Sequence, residues 1–102
     1  MATNPHKIPL SEAVAMTARA RAKGTLPIRA WRFNRDIFDG ILAQPGATGI
    51  RIYFALDAKD QPTLVLVGTD AAEKDMVQGE IGEVAWPCPP LCDPDSPLLV
   101  GP

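Results

Sequence analysis

The chain has 102 residues, 46% of them hydrophobic and 22% charged, enough for one domain with a modest core and too few for two. Its formal charge is −2 with a pI near 5.2, a balance that disfavours a dedicated polyanion binder. No apolar run approaches the roughly 20 residues that span a bilayer, and MATNPHKIPLSEAV lacks the charged-then-apolar order of a secretory signal, so the expectation is a cytoplasmic protein away from membranes.

Residues 1–10 read as a flexible polar leader containing Pro5, Pro9 and the single histidine, His6. With no second histidine to accompany it, His6 is read as a surface residue and not as a ligand or general base. Ser11, with Glu12 behind it, is the candidate N-cap of a first helix that runs to about Lys23 and stops at Gly24. The inward face of that helix is small, so it should be weakly anchored. Thr25-Leu26-Pro27 breaks the chain, and Ile28 to Phe33 alternates as a strand with Trp31 and Phe33 toward the core. Asn34 is the candidate cap of a second helix carrying Ile37, Phe38, Ile41 and Leu42, ended by Gln44-Pro45-Gly46. Gly40 in its middle marks a close crossing over the sheet.

The densest apolar stretch follows, GIRIYFALDAKDQPTLVLVG from Gly49 to Gly68. Ile50, Ile52, Phe54 and Leu56 alternate with Arg51, Tyr53, Ala55 and Asp57, the pattern of a strand with one buried face. Leu64 to Val67 is apolar on both sides, as an interior strand would be. The link Asp57-Ala58-Lys59-Asp60-Gln61 suits a type I turn whose third loop residue is left-handed. Pairing Asp57 with Gln61 sets Phe54 opposite Leu64, Ile52 opposite Leu66 and Ile50 opposite Gly68. On this reading Phe54 is a core residue, and Phe54→Ala is expected among the most destabilising changes. Thr69 to Glu80 is an acidic loop or short helix without the alternation of a calcium loop, and Ile81 to Trp86 is a further candidate strand. The order is α-β-α-β-β, a single α+β domain over residues 11–86 with helices on a small sheet.

Residues 87–102 form a proline-rich tail that, with Trp86, holds six of the eleven prolines and both cysteines. Such a segment should be extended rather than helical, and Leu98, Leu99 and Val100 at its end favour docking into a groove. Cys88 and Cys92 are spaced C-x3-C, unlike zinc knuckles or thioredoxin-type pairs. Free or simply packed thiols lead, with a Cys88–Cys92 disulfide or a metal site as alternatives. No cofactor and no metal site is expected.

Charge is lopsided: residues 1–56 carry eight Lys/Arg against three acids, and residues 57–102 two against nine. Arg19, Arg21, Lys23, Arg29, Arg32 and Arg35 are a candidate basic patch for nucleic acid, with Trp31 and Phe33 as stackers. Opposite halves could equally meet within one subunit or between neighbours.

The stretch GIRIYFALDAKDQPTLVLVGTD together with CPPLCDPDSPL resembles a group of small uncharacterised bacterial proteins with a similar hairpin and a Cys-Pro-x-x-Cys-Asp tail. The resemblance covers roughly residues 40–98 and implies a pattern without an activity, cofactor or partner. The lack of a nucleophile–base pair, the terminal arms and the opposite-sign halves point instead to a non-enzymatic interaction or self-assembly module whose arms, Cys88, Cys92, Leu98, Leu99 and Val100 foremost, contact a protein partner, another protein or a copy of itself. The alternatives are a small regulatory nucleic-acid binder using the Arg19–Arg35 region and a thiol redox or metal protein using Cys88 and Cys92.

Overall fold

The structure, a computed structural model, describes residues 4–24 and 27–100. The expected break at Thr25-Leu26 and the two terminal positions beyond Val100 lie outside them, as do the first three residues of the leader.

The first helix, α1 (Leu10–Lys23), starts one residue before Ser11. Its N-cap is Pro9, extended at φ −72° and ψ 157°, and no side chain caps it. Gly24 ends it in the left-handed conformation at φ 61° and donates its N–H to the Arg21 carbonyl, as a C-terminal glycine does. No residue of α1 is buried, in line with its small inward face.

Chain order continues with β1 (Ala30–Arg32), α2 (Arg35–Leu42), β2 (Gly49–Leu56), β3 (Pro62–Thr69), β4 (Ile81–Gly82), β5 (Trp86–Cys88) and α3 (Pro97–Val100). Two antiparallel sheets result, a β1–β5 ribbon and a three-stranded β2-β3-β4 sheet. The α+β class holds. The β2–β3 register pairs Phe54 with Leu64, Ile52 with Leu66 and Ile50 with Gly68, as the alternation dictates. Its turn is closed by Asp57, whose Oδ1 accepts the N–H groups of Lys59 and Gln61 at 2.8 and 2.9 Å, and Asp60 is left-handed at φ 62°. The expected strand over Ile81–Trp86 is split in two. Val84 sits between the pieces at φ 63°, a conformation strained for a branched residue, and the chain leaves one sheet for the other there. Trp86–Cys88 then pairs with β1, Trp31 opposite Pro87. A proline is admitted because both strands of a two-stranded ribbon are edges.

The core lies where α2 crosses the hairpin. Ile41 is fully buried there and Leu66 1% exposed; Val67 on the other face of β3 and Cys88 in β5 are buried as well. Gly68 and Gly82 allow the close approach: a Cβ on Gly68 would sit 3.0 Å from Ile41 Cγ2, and one on Gly82 2.5 Å from Ile37 Cγ1. Gly40 has a different role from the one its position implied, since a Cβ there would strike the Glu80 carboxyl group rather than the sheet. At 1.5 Å per residue the eight residues of α2 span about 12 Å, whereas the eight of β2 span about 27 Å. The cover runs out midway. Ile52, Phe54 and Leu56 share the face that α2 covers at its other end, yet they are 55%, 67% and 64% exposed. The expectation of Phe54 in the core is thereby corrected: the face is apolar and correctly registered, but only its Ile50–Gly68 end has a layer on it.

The tail is likewise not wholly extended. Ser96 accepts the N–H of Leu98 on its Oγ and those of Leu99 and Val100 on its carbonyl, capping the short helix α3. Pro97 occupies its first position, where a proline costs nothing. This helix packs on α1, with Arg21 Nη1 donating to the Leu98 carbonyl at 2.9 Å.

The molecule is flat, 43 × 41 × 22 Å, with a radius of gyration of 15.5 Å where a compact chain of this length has about 13 Å. Its accessible surface is 7624 Å², against about 5,600 Å² for a compact monomer of its mass.

Candidate functional site

The outer edge of β2 is the most distinctive surface. β2 is a terminal strand of its sheet, so its far side carries main-chain groups with no strand partner. The ladder identifies them. Asp57 donates its N–H to Gln61 at the turn, so in an antiparallel pair residues 49, 51, 53 and 55 point their N–H and C=O groups to β3. Those of Ile50, Ile52, Phe54 and Leu56 point away. Three of these four residues also have exposed side chains, and Tyr53 between them is half exposed. Open hydrogen-bonding groups and apolar side chains thus coincide along one edge, the combination that templates strand addition.

Trp31 borders this surface. Its ring meets Phe54 edge-to-face with centroids 5.8 Å apart, and its Nε1–H donates to the Pro62 carbonyl at 3.1 Å. On the opposite face of β2, Arg51 and Tyr53 converge on Asp75. Arg51 Nη1 lies 2.6 Å from Asp75 Oδ1 and donates to the Glu73 carbonyl at 3.3 Å, while the Tyr53 hydroxyl donates to Asp75 Oδ2. The hydrogen bond from Tyr53, then that from Arg51, hold the Asp75 carboxyl below its ordinary range, and the bond to Asp75 holds the Tyr53 hydroxyl above its own. Thr69 pairs with Asp75, returning the acidic loop beside the strand. This pair joins the basic and acidic halves of the chain. Its sequence signal was Arg51 and Tyr53 two residues apart on one strand face, followed by an acidic loop.

The candidate basic residues are dispersed among different duties. Arg19, Arg21 and Lys23 lie on α1, Arg29 precedes β1, and Arg32 and Arg35 belong to β1 and α2. Arg32 stacks over the Trp86 ring at 5.5 Å and donates to Asn34 Oδ1. Arg35 pairs with Asp39 at 3.5 Å, and Arg21 holds α3. The aromatic pair is engaged too, Trp31 on Phe54 and Phe33 on Phe38. The structure places Cys88 and Cys92 as a disulfide-distance pair, their Cα atoms 4.9 Å apart. The pair closes the turn that leads the tail back toward α1, and Leu98, Leu99 and Val100 all fall within α3. Among the described residues no cluster of His, Cys, Asp or Glu could hold a metal ion, and no helix is long and apolar enough to cross a membrane.

No known protein family, curated protein or solved structure matches this chain.

Proposed function

We propose that the chain is a self-associating interaction module in which β2 pairs with β2 of a second copy. The observation that carries this reading is the roughly 2,000 Å² of surface beyond that of a compact monomer, with an apolar strand edge exposed within it. A standard protein interface removes about 800 Å² from each partner, so the surplus accommodates one.

The second copy fits better than an unrelated strand because β2 is complementary to itself. In an antiparallel arrangement about a two-fold axis at Tyr53, Ile52 lies opposite Phe54 of the second copy and Ile50 opposite Leu56, so all four outward residues pair and form about eight main-chain hydrogen bonds. Arg51 then faces Ala55 and no like charges meet. Ile52 and Phe54 of both copies form one apolar strip. The tail is engaged on α1 of its own chain, so the contact proposed uses the strand edge in place of the terminal arms. The Arg51–Tyr53–Asp75 group contributes by fixing the strand's other face.

Light scattering on the full chain across protein concentration tests this. The wild type should be a dimer, and Ile52→Lys, which places a cation in the centre of the strip at a position already 55% exposed, should be a folded monomer. A wild type that stays monomeric at high concentration overturns the reading.

A further inference from the structure

A cavity of about 620 Å³ lies between the C-terminal half of α1, β1 and the tail, within the size range of small-molecule sites. No β2 residue lines it, although Trp31 is shared with the border of the β2 edge. It is lined by Ala20 of α1, Trp31 of β1, Leu91 and Leu99 of the tail, and the Cys88–Cys92 pair. These are apolar groups, and a gap between them forgoes the dispersion contacts that filling it would restore. Three cations line the cavity, Arg21, Lys23 and Arg29, against a single acid, Asp93; Arg21 is engaged on the Leu98 carbonyl, which leaves Lys23 and Arg29 to face a ligand. Neither cation has an ion pair among the described residues. An apolar cavity whose Lys23 and Arg29 lie beside one acid, with Arg21 committed to the tail, complements a ligand with an apolar body and one anionic head.

We propose that this cavity binds an amphipathic monoanion of the medium-chain carboxylate class, its alkyl body between Ala20, Trp31 and Leu99 and its carboxylate at Lys23 and Arg29. Its tail wall is held by the β1–β5 pairing, the Cys88–Cys92 pair, α3 on α1 and the Arg21 contact to Leu98, while Lys23 and Arg29 lie at the end of α1 and just before β1.

Decanoate, titrated into the full-length Trp86→Phe protein, tests the proposal through Trp31, the sole remaining tryptophan. Saturable change in Trp31 emission is expected, with affinity falling about tenfold or more when Ala20→Phe fills the chamber and by a similar factor when Lys23→Glu and Arg29→Glu reverse the cations. Decanol, with the same body and no charge, should bind the unreversed protein as weakly as decanoate binds the reversed one. Circular dichroism shows whether Ala20→Phe is folded, and the surface double reversal decides the matter if it is not. Equal binding of decanol and decanoate, a response that does not saturate, or affinity unchanged by the cation reversal each overturns the assignment. So does response to decanoate that is lost in Ile52→Lys, because it would place the site on the strand edge.

Discussion

Truncating Phe54 and truncating Leu66 should have different consequences, although the two residues lie on one face of one hairpin. Leu66 is 1% exposed beneath α2, and removing such a side chain to Ala costs about 2–5 kcal/mol. Phe54 is 67% exposed, so about a third of the roughly 1.5–3 kcal/mol for full burial is at stake, with about 0.5–1.5 kcal/mol more from its edge-to-face contact with Trp31. Phe54→Ala in an isolated subunit therefore costs about 1–2.5 kcal/mol. With about 4–8 °C per kcal/mol for a domain of this size, Leu66→Ala should lower Tm by roughly twice as much as Phe54→Ala at low concentration. Association changes the second number alone. The wild-type Tm should climb with protein concentration as a bound second copy stabilises the fold, and the gap to Phe54→Ala should widen with it. Circular-dichroism melts of the three proteins across a wide concentration range provide the test. If Phe54→Ala is as damaging as Leu66→Ala in the most dilute samples, Phe54 is a core residue and the exposed edge does not exist.

Gly68→Ala should destabilise by about 1–3 kcal/mol, because its Cβ would meet Ile41 and Gln44 at 3.0 and 3.1 Å; a melting temperature equal to wild type would remove α2 from the sheet. The Arg51–Tyr53–Asp75 group should make stability depend on pH at both extremes. Asp75 is depressed, so its contribution is present above the ordinary carboxylate pKa and lost as pH falls through the lower folded value; Tyr53 is raised, so its contribution is present below about 10 and lost as pH climbs through the higher folded value. Asp75→Asn should flatten the acid limb of a denaturation curve taken against pH, and an unaltered limb contradicts the pairing. Opening the Cys88–Cys92 loop by Cys92→Ser should cost about 2 kcal/mol on loop-closure grounds and raise amide exchange in α3 before the hairpin; uniform exchange throughout would show that the disulfide does not hold the tail.

Much of the local structure was legible because local rules decide it. Alternation and the 57–61 turn set the hairpin register, and Asp60 took the left-handed position that the turn requires. Gly24 and Asn34 marked helix boundaries correctly, although Asn34 spends its side chain on Arg32 and caps nothing. What period-two alternation cannot report is whether a layer covers the face it defines. Ile52 and Phe54 obey the same pattern as Ile50, and only the length of α2 relative to β2 separates them. The pairing of Trp86–Cys88 with β1 was hidden by Pro87, which argues against a strand unless the strand is an edge. The short helix α3 was hidden in the same way, since Pro97 forbids a helix interior but suits a helix start. The cavity was out of reach because its walls come from residues about 70 positions apart, brought together by the contact of α3 with α1.

The most direct test of the central claim is cross-linking at the proposed axis. Tyr53 of two copies would face each other as a non-hydrogen-bonded antiparallel pair, with Cα atoms about 4.5 Å apart, within the range a disulfide spans. Tyr53→Cys should form a covalent dimer under mild oxidation, seen on a non-reducing gel. Arg51→Cys should not, since position 51 lies opposite 55 and about 13 Å from its own copy. Absence of the Tyr53→Cys dimer, or equal dimer formation by the two variants, would contradict pairing of the β2 edges in this register.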